Sequence, residues 1–309
     1  MKTTLVCASK IANLLPLPLA YFLTDAVGWA AFLIMRKRSQ ITTQNMLHIT
    51  DGDSLVARRL ARESFQSYAA YALDFLKVLS ISGDDYIRDV RNQVTIVGGE
   101  IAERARAGKG LIAVGLHAGM WDFGPAAASQ ILGMPASVVI DQFEDERLNF
   151  LLQKIRSLLG ISLISSDNGA LQIRRELRKN NLVNILIDVP PEGKDAIAVT
   201  FFGSEVDIHS GPARMCLLSG ASLVVGIPFR QKKSENLVRL VIQPVEYEST
   251  GELENDVRGL SQELMLTLEH LIRQDPSQWH MFRHFWTCLL YTSDAADEGL
   301  GVDLGGRRI

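Results

Sequence analysis

The sequence predicts an α/β fold: a mixed, mainly parallel sheet flanked by helices, with a membrane-associated helix at the N-terminus. Three observations carry that expectation. Short apolar runs recur at residues 94–97, 111–116, 136–140, 182–187, 196–202, 222–227 and 237–242. Helical patterns separate most of them, at 100–107, 120–132, 144–159, 169–178 and 212–219. Strand-like runs alternating with helical patterns are the signature of a sheet covered by helices. Ahead of this region, residues 11–35 form the most hydrophobic stretch of the chain.

That N-terminal stretch has the length of a bilayer span, which takes about 20 residues. Asp25, Pro16 and Pro18 interrupt it, which favours a shallow or hairpin-like insertion over a straight span. Lys10 precedes it and Arg36-Lys37-Arg38 follow, a flank suited to the cytoplasmic side and to anionic headgroups. A buried first helix of a globular domain is the alternative. A signal peptide fits poorly, because the run ends in basic residues rather than a small-residue cleavage site.

Residues 55–79 read as an amphipathic helix, with Phe65, Tyr68, Ala72, Phe75 and Leu79 on one stripe and Arg58, Arg59, Arg62, Glu63 and Gln66 on the polar side. The stripe is expected to be core. A loop follows at residues 82–85. Pro212 stands where a helix starts and its missing N–H costs nothing. Residues 236–245 follow the preceding strand with no long helix between, so one β-hairpin is expected. Residues 252–273 form the last long helix. After Trp286 the periodicity stops, and residues 287–309 resemble translated adapter or vector sequence, with a native, disordered tail as the alternative, so they take no part in the functional reading.

Composition narrows the function. A net charge of −3 gives no global signal for nucleic acid. A hydrophobic fraction of 47% points toward membrane contact. Cys7, Cys216 and Cys288 lie far apart, with no Cys/His cluster, so neither a disulfide framework nor a metal site is expected. The sequence has no Gly-x-Ser-x-Gly elbow, Walker loop or dinucleotide glycine fingerprint.

The chemistry gathers at residues 111–124, LIAVGLHAGMWDFG. A strand stops at His117 and a helix begins near Asp122, placing an imidazole at the carboxyl end of a strand, where α/β folds build their sites. With His117 in the turn and Asp122 in the first helical turn, Asp122 can fix one imidazole tautomer and leave the other nitrogen to take a proton from a hydroxyl. A packed histidine beside a helix-capping aspartate reads the same residues structurally. Asp141 and Asp188 also follow predicted strands, and Arg156 lies on the helix after Asp141. A His–Asp pair without a protein nucleophile suits direct transfer of an activated acyl group to a hydroxyl, with N–H groups near residues 120–122 for the developing oxyanion. The acyl chain would need an apolar groove, placed by this reading between the N-terminal helices and the sheet.

Four blocks then carry a family resemblance. GLHAGMWDFGPAA (115–127) resembles the His, four residues, Asp/Glu motif of glycerolipid and glycolipid acyltransferases. RKRSQITTQNM (36–46), TFFGSEVDIHSGPARMCLLSGASLV (200–224) and QWHMFRHFW (278–286) are similar, in that order, to blocks of the bacterial family of lipid A lauroyl/myristoyl transferases and phosphatidylinositol mannoside acyltransferases, within the lysophospholipid acyltransferase-like superfamily. Asp122 and Trp279-His280-Met281 look more like the mannoside branch.

The resemblance implies a glycerolipid-acyltransferase-like core at 41–286 behind a membrane segment at 1–40. It implies an O-acyltransferase on the cytoplasmic face of the inner membrane, using acyl-CoA or acyl-carrier protein as co-substrate, no further cofactor, and a glycolipid hydroxyl as acceptor. It implies His117 as general base with Asp122 as its partner, and Asp141, Arg156 and Asp188 at the substrate. Asp188 stands where the mannoside branch carries glutamate and the lipid A branch aspartate, and VPPEGKD (189–195) departs from the family pattern. A catalytically silent lipid-binding protein and an acyl thioesterase are the alternative functions.

Overall fold

A computed structural model describes residues 9, 14–78, 94–98, 109–140, 146–166, 169–191, 195–231 and 238–286. Three helices come first: α1 (Leu17–Ile34), α2 (Arg36–Ile49) and α3 (Ser54–Lys77). There follow β1 (Val94–Val97), β2 (Leu111–Gly115), α4 (Phe123–Leu132), β3 (Ala136–Ile140), α5 (Glu146–Leu158), β4 (Ser162–Ser165), α6 (Gly169–Arg178) and β5 (Leu182–Leu186). The last elements are β6 (Ala196–Phe201), β7 (Ser204–His209), α7 (Gly211–Ser219), β8 (Ser222–Arg230), β9 (Val238–Pro244) and α8 (Leu253–Ile272). The expected loop at 82–85, the helix at 100–107 and the tail at 287–309 lie outside the described residues.

Seven of the described strands form one mixed sheet in the order β1-β9-β8-β2-β5-β3-β4. The pairs from β8 through β2, β5 and β3 to β4 are parallel, and β8–β9 is the antiparallel hairpin that the sequence predicts. The alternation of side chains along a strand divides the core between two faces. Ile112, Val114, Val183, Leu223 and Val225 pack on one side with residues of α6, α7 and α8, while Leu111, Leu182, Val224 and Ile242 meet Ala127 and Ala128 of α4 on the other.

Two strands escape the sequence reading. β4 has four residues, of which only Ile164 is fully buried, so its pattern is too short to register. β7 alternates exposed Glu205 and Asp207 with buried Val206 and Ile208, a period-two pattern present in the sequence. It pairs with β6 in a separate two-stranded sheet rather than extending the main one. Phe202 and Gly203 make the connection, both at positive φ (48° and 72°), as a tight two-residue hairpin turn requires.

Within the described part of the apolar run, α1 extends from Leu17 to Ile34 and is capped at Met35, and α2 leaves it at a bend of 98°. No single described helix is long and apolar enough to cross a membrane. The two prolines do not break the run: they stand at the start of α1, where a helix leaves its N–H groups unpaired in any case. α3 is capped by Asp53, whose carboxylate accepts from the N–H groups of Leu55 and Val56 at 3.0 Å each.

α1 lies on α3 along Ala20, Thr24, Gly28 and Phe32, each a turn from the last and each buried. A Cβ at Gly28 would stand 2.4 Å from the Gln66 Cα, so only glycine permits this approach. Gly28→Leu is therefore expected to lower the unfolding free energy of the full chain by about 1–3 kcal/mol, read from urea denaturation.

Candidate active site

The register of the sheet brings the first two functional groups together. β2 and β5 are parallel neighbours, with Leu111 opposite Leu182 and Gly115 opposite Leu186. Continued two residues past the strand ends, the same offset sets His117 against Asp188. The contact is made: the His117 Nδ1 is 2.8 Å from Asp188 Oδ1, and the His117 backbone N–H donates to Asp188 Oδ2 at 2.9 Å. The indole N–H of Trp279 donates to the same Oδ2 at 3.0 Å. Asp188 is fully buried, whereas the His117 side chain keeps 30% of its surface exposed.

Burial alone would raise the Asp188 carboxyl, but the imidazole and the hydrogen bonds from His117 and Trp279 outweigh it and hold the pKa below the usual carboxylate value. For His117, burial works to lower the pKa, and the Asp188 carboxylate reverses this and raises it. A carboxylate acceptor at Nδ1 selects the tautomer protonated there and leaves the lone pair on Nε2. Among the described residues Nε2 makes no hydrogen bond.

Asp122 takes a different place from the one its spacing suggested. Its Oδ1 accepts from Arg156 Nε at 2.7 Å and its Oδ2 from the Tyr71 hydroxyl at 2.5 Å. With 3% of its surface exposed and both oxygens engaged, Asp122 is the centre of a buried Tyr71–Asp122–Arg156 cluster. His117 turns instead to Asp188, because strand register places that carboxylate directly opposite. Asp188, in turn, has no oxygen free for a substrate. Arg156 is committed to Asp122, and Asp141 lies outside the described residues.

The turn from His117 to Asp122 is fixed from two sides. Gly119 adopts φ +59°, and a Cβ there would stand 2.2 Å from the Pro228 carbonyl oxygen. Its N–H donates to the Gln278 carbonyl, and the Met120 N–H donates to the Pro228 carbonyl, both at 2.8 Å. The Met120 N–H is thus used internally, contrary to its expected role as an oxyanion donor. Residues 278–286 form a strap over the turn: Ala118 and Trp279 make an antiparallel bridge, and the His280 N–H donates to the His117 carbonyl at 2.8 Å. Asn45 of α2 holds the strap, donating to the carbonyls of Met281 and Arg283 at 3.1 and 2.7 Å. Ser64 of α3 donates to the Trp279 carbonyl at 3.0 Å.

The strap supplies groups that spacing alone did not assign. Trp279 orients Asp188. His280 is buried beside His117, and burial, reinforced by that neighbour's charge, lowers its pKa to about 3. Tyr71 stacks on Trp121 at 3.7 Å between ring centroids, and Trp121 meets His117 edge-on at 5.5 Å. Tyr68, expected in the core, is 42% exposed within this aromatic group. A narrow apolar cleft of about 30 Å³ runs between the sheet and α4, lined by Ala113, Gly115, Trp121, Gly124, Ala128 and Gly226 among others. Small residues on β2, β8 and α4 leave this space against α4.

Comparison with known proteins points the same way as the motifs. The profile of the family described as "Bacterial lipid A biosynthesis acyltransferase" matches residues 4–287. A phosphatidylinositol mannoside acyltransferase of Mycolicibacterium smegmatis is 24% identical over 243 residues, 77% of this chain and 74% of that protein. One of Mycobacterium tuberculosis is 23% identical over 238 residues, 75% and 72% of the two chains.

The geometry fixes the sign of one titration. By NMR, His117 in the full chain should titrate above 6.5, its ordinary value. In Asp188→Asn the opposing carboxylate is gone, burial with the Arg283 charge outweighs the smaller contribution of Asp122, and the same resonance should titrate below that value.

Proposed function

Because the chain belongs to the bacterial lipid A biosynthesis acyltransferase family, we propose that it moves a fatty acyl group from a thioester, acyl-CoA or acyl-carrier protein, to a hydroxyl of a glycolipid, with His117 as general base. The observation that carries this reading is the buried Asp188 carboxylate on His117 Nδ1, which leaves Nε2 as the basic nitrogen at a partly open surface. The acceptor hydroxyl gives its proton to Nε2 as its oxygen attacks the thioester carbonyl. The tetrahedral intermediate then collapses, the C–S bond breaks, and the leaving thiolate takes the proton from Nε2. Asp188 stays ionised throughout and stabilises the transient imidazolium. With the Met120 N–H engaged, the backbone donors left to the oxyanion in this turn are those of Trp121 and Asp122. No cofactor beyond the acyl donor enters this scheme.

The apolar cleft against α4 is the seat proposed for the acyl chain. At about 30 Å³ it is narrow, so a chain must part α4 from the sheet to enter. Phosphatidylinositol mannosides are the acceptors favoured by the two relatives, ahead of lipid A precursors. Membrane contact is assigned to α1, whose outward side carries Phe22, Val27, Trp29 and Ile34, with Arg36-Lys37-Arg38 following at once. An exposed apolar face beside clustered cations suits a helix lying in the interface of an anionic bilayer. The proposed location is the cytoplasmic face of the bacterial inner membrane.

The test uses the full chain with radiolabelled palmitoyl-CoA or palmitoyl-carrier protein and lipid extracts containing either class of acceptor. Labelled glycolipid should form, and His117→Ala should slow its formation by a factor on the order of 10²–10⁴. An unchanged rate in His117→Ala contradicts the mechanism, and release of free fatty acid without labelled lipid contradicts the transfer. Since the base must be neutral, kcat/KM should climb with pH through a His117 pKa above the ordinary imidazole value.

A further inference from the structure

We propose that Tyr21, Asp74, Arg230 and Gln278 form a positioning relay that couples the seating of α1 to the backbone turn carrying His117. The inference rests on the acyl-transfer reading for its kinetic consequence, though not for its structural one.

The relay starts on α1, a helix with an exposed apolar face. While Phe22 is 68% and Val27 61% exposed, Tyr21 turns inward from the same helix. Its hydroxyl donates to Asp74 Oδ1 of α3 at 2.8 Å. The other oxygen of Asp74 accepts from Arg230 Nε at 3.0 Å. The Arg230 guanidinium also lies 4.0 Å from the centre of the Tyr21 ring. Asp74 and Arg230 are both only 6% exposed, so this is a buried ion pair sealed by a residue of α1.

Arg230 is the last residue of β8, and the side-chain amide of Gln278 grips its backbone. The Arg230 N–H donates to Gln278 Oε1 at 2.8 Å, and Gln278 Nε2 donates to the Arg230 carbonyl at 3.0 Å. The backbone carbonyl of Gln278 then accepts the Gly119 N–H at 2.8 Å, two residues from His117. There is little slack at that end, since a Cβ on Gly119 would meet the Pro228 carbonyl oxygen at 2.2 Å and Gln278 Oε1 at 3.2 Å. Five groups from five separate parts of the chain are thus joined by direct hydrogen bonds from α1 to the active-site turn.

The chemistry argues for positioning rather than plain stability. A buried ion pair adds little net stability over apolar packing of equal volume, but it has one good geometry where apolar packing has many. A shift of α1 that withdraws the Tyr21 hydroxyl leaves Asp74 with an unmet lone pair and uncovers the Arg230 guanidinium. The cheapest response is a movement of Arg230, which its backbone passes to Gln278 and so to Gly119.

Tyr21→Phe tests this with the smallest change, since the ring that covers Arg230 remains and only the hydroxyl is lost. Two readouts are taken on the full chain. The first is the His117 ring resonance by NMR, which needs no substrate and so reports on the relay even if the acyl-transfer reading fails. The second is transfer on vesicles of phosphatidylcholine with phosphatidylglycerol, containing the acceptor and supplied with palmitoyl-CoA. The expected result is a displaced His117 resonance and a kcat lowered about tenfold, with donor KM and vesicle binding unchanged. Gln278→Met, uncharged and near in volume, loses both amide bonds to the Arg230 backbone and should displace the same resonance. A His117 resonance unmoved in both variants overturns the relay, as does a loss in Tyr21→Phe that falls entirely on vesicle binding.

Discussion

The Asp188 carboxylate has no contact with solvent and three hydrogen-bond donors around it: the imidazole and backbone N–H of His117, and the indole N–H of Trp279. An ionised carboxylate in that position is tolerable only if its acceptor sites are met. The demand ties together three distant parts of the chain: the end of β2, the end of β5 and the strap of residues 278–286. Remove the carboxylate and the strap loses its indole anchor while the imidazole loses its preferred tautomer. The same group therefore serves the fold and the site at once.

The strap explains why sequence blocks far apart in the chain belong together. Asn45 lies in the block that follows the apolar helix, and its amide holds the carbonyls of Met281 and Arg283. Phe201, in the Phe-Phe-Gly block, packs edge-on against Trp279 at 5.9 Å and Phe285 at 5.7 Å and stacks on Trp286. Each block anchors the strap from a different side, and the strap in turn holds the His117 turn through Gln278 and Trp279. The recurring motifs thus describe one assembly around the site rather than several separate ones.

Much of the architecture was legible because its elements have the burial their periodicity implies. The run at 136–140 and the helix at 169–178 match β3 and α6 residue for residue, and the hairpin after β8 follows from the absence of an intervening helix. The site was legible as a set of residue types at strand ends and less so as a set of partners. His117 and Asp188 both follow predicted strands, but only the β2–β5 register, a long-range fact, pairs them. Local spacing favoured Asp122 instead, and nothing nearby in sequence reveals that Tyr71 and Arg156 claim its oxygens. Tyr68 misled for a similar reason: its helical spacing matches a core stripe, but the surface it faces is the aromatic mouth of the site.

The most direct test of the account is the protonation pattern of the His117 ring, read by ¹⁵N NMR on the full chain at a pH above its titration. The account predicts a proton on Nδ1, facing Asp188, with Nε2 showing the shift of an unprotonated, pyridine-like nitrogen. A proton found on Nε2 would contradict it, because the nitrogen assigned to take the acceptor's proton would already hold one.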